Sequence, residues 1–116
     1  MQPASTIDHL LENLPAEFTD NIRLIWIDIQ GYEGYAFRGA KDLLSREIPV
    51  VTELWPYGMV SAGMSADDYC EIARQFWQSY WALDEEELTR YPISDLGGFI
   101  EALGYAGRYT NIILTK

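Results

Sequence analysis

The stretch Leu24-Ile25-Trp26-Ile27-Asp28-Ile29-Gln30-Gly31-Tyr32-Glu33-Gly34 constrains the fold more than any other part of the chain. Its first half is almost continuously apolar and rich in β-branched residues, which predicts a strand covered on both faces over residues 22–29. Trp26 and Ile27 should then both be buried. The strand ends on an acid, turns on glycine and feeds a helix. Asp28 therefore sits at a carboxyl end, the edge of an open α/β sheet where ligands bind. An acid there has two readings: it caps the helix that follows, or it serves a ligand.

The next segments extend this unit. Ala36, Phe37, Ala40, Leu43 and Leu44 recur at helical spacing, predicting one helix over residues 32–46. Val50 to Leu54, framed by Pro49 and Pro56, predicts a second strand carrying the acid Glu53 near its end. A strand, a helix and a strand make a βαβ unit, parallel and right-handed. Residues 57–64 read as a loop. Ser65-Ala66-Asp67-Asp68 reads as a capping box that opens a helix, whose Tyr69, Ile72, Ala73, Phe76, Trp77 and Tyr80 suit a core rather than a cofactor pocket. Further strands are expected at 79–84 and 110–115, with a short helix at 94–103 stopped by Gly104. The acidic run Asp84-Glu85-Glu86-Glu87 reads as a solvated loop. Upstream, Ser5-Thr6-Ile7-Asp8 resembles a capping box before a helix over residues 7–13, with His9 on its solvent side.

Composition removes several functions. With 116 residues, 48% of them hydrophobic, the chain makes one domain with a real core. A net charge of −10 without a basic cluster argues against nucleic acid and anionic membrane as partners. One Cys and one His, far apart, exclude an internal disulfide and give no zinc-ligand spacing. No membrane span or signal peptide is legible, and a cytoplasmic location is expected. Phosphate-loop, G-x-G-x-x-G and G-x-S-x-G motifs are absent.

Five segments resemble the FkbM-type methyltransferases, class I enzymes that use S-adenosylmethionine. Thr6-Ile7-Asp8-His9-Leu10-Leu11 is similar to the family's T-[LI]-D-x-L-[LI] element. Leu24 to Glu33 is similar to L-I-K-I-D-[IV]-E-G-x-E, the most specific of the five. Arg38-Gly39-Ala40 with Leu43-Leu44, Pro49-Val50-Val51-Thr52-Glu53 and Thr110-Asn111-Ile112-Ile113-Leu114 supply the others. Three positions depart from the pattern. Trp26 stands where a Lys is usual, Gln30 where a Glu is usual, and Trp55 where a His often follows the second strand's acid.

The resemblance implies a partial Rossmann-like α/β sheet, mainly parallel with an antiparallel last strand, and helices on both faces. The expected strand order is 22–29, 50–54, 110–115, 79–84. It covers the C-terminal half of such an enzyme, because no Gly-rich cofactor loop is present. The activity implied is methyl transfer from S-adenosylmethionine to a hydroxyl of a sugar or small molecule. Asp28 and Glu53 are the catalytic candidates, Asp28 and Gly31 the cofactor candidates, Glu33 and Trp55 the substrate candidates, with no metal. Without the Gly-rich loop, the chain alone is expected to be inactive and to bind the cofactor weakly or not at all. The alternative is a non-catalytic module kept for binding or self-association. A truncated sheet would leave the first strand as an apolar edge, so a homodimer or a missing N-terminal half is the expected partner, unless residues 1–20 cover that edge.

Overall fold

The computed structural model describes residues 6–116 and contains one five-stranded sheet. The strands are β1 Ile25–Ile27, β2 Val50–Leu54, β3 Ser79–Ala82, β4 Arg90–Pro92 and β5 Thr110–Thr115, ordered β1-β2-β5-β3-β4. The helices are α1 Ile7–Glu12, α2 Ala16–Thr19, α3 Glu33–Arg38, α4 Lys41–Leu44, α5 Pro56–Ser61, α6 Ala66–Phe76 and α7 Leu96–Leu103. None is long and apolar enough to cross a membrane.

The expected order of four strands holds, and the last strand is antiparallel to both neighbours. The sheet is nevertheless mostly antiparallel, contrary to the expectation of a mainly parallel one. Among the described residues only β1 and β2 pair in parallel. β5 enters between β2 and β3, which run in the same sense, so one possible parallel pair becomes two antiparallel ones. β4, unanticipated, adds a third by pairing antiparallel with β3. It is three residues long and ends on Pro92, as suits a sheet edge.

Register fixes which side chains share a face. One row runs Trp26, Val51, Ile113, Trp81 and Arg90 across all five strands. The next row, Ile27, Thr52, Ile112 and Ala82, points the other way. Ile27, Val50, Leu54, Tyr80, Ile112 and Leu114 join one cluster with the helical residues Phe37, Leu44, Tyr69, Ala73, Leu96 and Ile100. Trp26, Val51, Ile113 and Trp81 stay outside it. Among the described residues, then, the helical side chains that build the core meet one face of the sheet. This corrects the expectation of helices on both faces. It also explains why Trp26 is 64% exposed where burial was expected: it lies on an edge strand and outside the core cluster.

Two helices differ from the sequence reading. The single helix expected over 32–46 divides into α3 and α4. Asp8 is the reason: its carboxylate accepts from the N–H groups of Asp42 (2.9 Å) and Leu43 (3.3 Å), capping a new helix start. The segment 57–64, read as a loop, contains α5, which Pro56 opens from the first helical position. The Ser65 cap is as expected, its hydroxyl accepting from Asp68 N–H. For α1 the cap is Thr6, accepting from His9 N–H; Ser5 lies outside the described residues. The acidic run is mostly exposed, tied down where Asp84 accepts from Thr110 and Glu85 from Tyr91. Lys116 closes the fold from the other end, its Nζ donating to the carbonyls of Leu44 (2.9 Å) and Phe76 (2.7 Å), where α4 and α6 finish.

Candidate functional site

The carboxyl ends of β1 and β2 bring the sequence candidates together. Asp28 falls one residue beyond the Ile27–Thr52 pair, so it lies beside Glu53 on the face that carries Trp26. The two strands are locked just below them by the buried Thr52 hydroxyl, which donates to the Ile27 carbonyl at 2.8 Å.

After β1 the chain turns sharply. Gln30 adopts φ +57° and Gly31 φ +99°. Glu33 closes this turn from within: its carboxylate accepts from Ile29 N–H at 2.7 Å and Gly31 N–H at 3.0 Å. Only 4% of Glu33 is exposed. Burial pushes its pKa up, the backbone N–H groups pull it down, and the Asp28 charge adds to the rise; the net direction is upward. Glu33 thus holds the turn on which Asp28 is mounted. Gln30 Nε2 donates to Asp28 Oδ1 at 3.3 Å, so a neutral donor stands where the resembling family carries a second acid.

Glu53 is half-buried, and its pKa is raised by desolvation first, then by the charges of Asp28 and Glu33. Three carboxylates therefore share one electrostatic neighbourhood. Among the described residues no three His, Cys, Asp or Glu side chains come together as metal ligands.

Gly31 also sets the position of the second loop. A Cβ there would lie 2.4 Å from the Gly58 carbonyl oxygen, so the turn after β1 rests directly on the backbone of α5. Gly58 in turn lies beneath the Trp55 indole, where a Cβ would come within 2.0 Å of the ring. Trp55 is consequently fixed, half-buried, with the Tyr57 ring 5.8 Å away. Asp28, Gly31, Glu33, Glu53 and Trp55 all converge on this corner; His9 lies elsewhere.

An open groove of about 590 Å³ runs along the edge of β1 that faces away from β2. Trp26, Ile27, Asp28 and Ile29 form one wall, and Tyr32, Tyr35 and Ala36 the other. The Tyr32 and Tyr35 rings lie 6.0 Å apart. Sequence reading had not singled out these tyrosines, although their i,i+3 spacing at a helix start was a usable signal. Thr52 and Gly58 were missed as well, because their roles depend on neighbours distant in sequence.

The profile of the Methyltransferase FkbM domain matches residues 2–103. The chain belongs to this family. No curated protein matches it. The mixed α/β sheet is compatible with the Rossmann-like fold of such enzymes. FkbM methyltransferases generally use S-adenosylmethionine. The Asp28 carboxylate offers an acceptor for an ammonium or ribose hydroxyl, and the faces of Trp26, Tyr32 and Tyr35 suit a cationic sulfur or a planar base.

Proposed function

We propose that this FkbM domain forms the acceptor side of an S-adenosylmethionine-dependent O-methyltransferase site, acting on a hydroxyl of a sugar or small molecule. One observation carries the reading: Glu53, its carboxyl raised by burial and by two neighbouring acids, stands beside Asp28 at the carboxyl edge, where the groove begins. The bound cofactor supplies an activated methyl group. The chain's task is positioning and proton removal. Glu53 takes the proton of the acceptor hydroxyl, and its raised pKa makes it a stronger base than an exposed glutamate. Asp28 orients the acceptor or the donor. Glu33 and Gly31 hold Asp28 through the turn, with the Gly31 N–H already engaged by Glu33. Trp55 provides an apolar surface that excludes water from the acceptor.

This domain reads as the C-terminal half of a class I arrangement. Small-molecule sites bury about 70–90% of their ligand. A groove this open to solvent does not, so the chain alone binds S-adenosylmethionine weakly and is inactive. Calorimetric titration with S-adenosylmethionine and its demethylated product tests this. Binding weaker than micromolar, lost in Asp28→Ala with an unchanged circular dichroism spectrum, is expected. Micromolar binding would overturn the inactivity of the lone chain. Binding that is indifferent to Asp28→Ala would overturn the site.

A further inference from the structure

Asn111 brings a chemistry that the fold itself does not use. It lies inside β5, followed by the aliphatic run Ile112-Ile113-Leu114. Asparagine is depleted in strands, since its short polar side chain competes with the backbone ladder. The neighbours Thr110 and Ile112 are buried on the core side, so Asn111 points to the opposite face, where it is half-buried. The side-chain hydrogen bonds of β5 belong to Thr110 and Thr115. Among the described residues the Asn111 carboxamide has no partner, and desolvating an amide without one costs free energy.

Register places this carboxamide at the proposed site. Asn111 is the partner of Glu53 in the β2–β5 pair. Directly opposed residues share a face, with Cβ atoms about 5 Å apart. Asp28 flanks Glu53 from the other side, one residue beyond the Ile27–Thr52 pair. The three side chains form one row from the end of β1 across β2 to β5, with Glu53 in the middle. Asp28 lines the groove and Asn111 does not. The row therefore has unequal ends: an acid beside the groove, and a neutral carboxamide on the sheet face.

We propose that Asn111 is an acceptor-binding residue, and that Asn111 and Glu53 together hold two adjacent hydroxyls of one molecule, a vicinal diol. This rests on the methyltransferase reading above and narrows its acceptor. The ionised Glu53 can only accept a hydrogen bond, so it takes the hydroxyl that is to lose its proton. The carboxamide both donates and accepts, so it holds the neighbouring hydroxyl in either orientation. It also adds no fourth charge to the three carboxylates of the corner. Asp28, at the other end of the row, faces the groove and serves the methyl donor. A molecule with one hydroxyl satisfies one of the two groups and leaves the other unpaired.

Nitrogen–proton correlation NMR tests this on the full chain. The probe is the cis form of cyclohexanediol with hydroxyls on adjacent carbons, and cyclohexanol is the control with one hydroxyl. The diol should shift the side-chain amide pair of Asn111. It should bind about fivefold more tightly than cyclohexanol, the worth of roughly one hydrogen bond. Asn111→Asp keeps the size and loses both donors. Asn111→Val removes the polar group altogether. Each should bring the diol down to the cyclohexanol level. Asn111→Val should melt no lower than wild type, because valine suits a strand better, so its loss of binding is not a loss of fold. Glu53→Gln separates this inference from the reading beneath it. A diol that weakens in Glu53→Gln but ignores both Asn111 variants would overturn the role of Asn111 and leave the acceptor site standing. A diol that perturbs neither residue would overturn both. Equal affinity for diol and cyclohexanol would overturn the vicinal-diol preference.

Discussion

Replacing Gly31 with alanine tests the contact that joins the two halves of the site. Gly31 sits at φ +99°, where a side chain costs about 1–3 kcal/mol. The new Cβ would also lie 2.4 Å from the Gly58 carbonyl oxygen and 2.5 Å from its carbon. Backbone, not a flexible side chain, must move, and the Trp55 ring resting on Gly58 leaves it little room. Overpacking of this kind costs about 1–3 kcal/mol. The combined loss is about 2–6 kcal/mol, set against a total stability for a domain of about 5–15 kcal/mol. Urea denaturation followed by fluorescence should show a clear fall in the midpoint with little change in slope. Gly98→Ala is the control, because a Cβ there meets nothing within 4 Å; inside α7 it should stabilise by about 0.5–1 kcal/mol. A Gly31→Ala protein within about 0.5 kcal/mol of wild type, the range of ordinary surface substitutions, would refute the close approach of the two turns.

Glu53→Gln tests the electrostatics of the acid cluster. The folded pKa of Glu53 is raised above its ordinary unfolded value, so its favourable contribution is complete below that value and is lost as pH rises through the folded pKa. The variant cannot ionise. Its melting temperature should therefore exceed wild type at neutral pH, with the gain vanishing near pH 4, on the order of the unperturbed carboxyl value; a gain constant across this window would contradict the assignment. Lys116→Met removes a charged donor from the ends of two helices and should cost about 1–3 kcal/mol in thermal unfolding, whereas an unchanged melting point would show the contacts to Leu44 and Phe76 to be incidental.

Much of this fold was legible where a residue's chemistry acts locally. The β5 bounds were readable because Thr110, Ile112 and Leu114 alternate inward with less buried neighbours. The Ser65 cap and the stop at Gly104 were readable because each acts within a turn of itself. Asp28 and Glu53 stood out as acids near the ends of apolar strands. The exposure of Trp26 was not legible: an apolar run states that a strand favours cover, not which neighbours supply it. Nor could the division of the helix at residues 39–40 be read from its own apolar spacing, since the cap that starts α4 comes from Asp8. The site's second loop was illegible for the same reason. Pro56, Gly58 and Gly63 signal a turn when read in isolation, and only the contact of Gly31 with Gly58 reveals a helix start held against the first strand's turn.

The insertion of β5 between β2 and β3 has a consequence for how the chain reaches this state. β2 and β3 do not pair with each other; the six-residue β5 lies between them and joins β1-β2 to β3-β4. Partners such as Val50 and Leu114 lie more than half the chain apart. The sheet therefore cannot close until β5 is in place, and until then β2 and β3 each leave one strand edge unsatisfied. Such non-local closure makes for slow folding and a window of exposure to aggregation. Docking of the strand from Thr110 to Thr115 is then the event that lets the sheet zip from both sides at once.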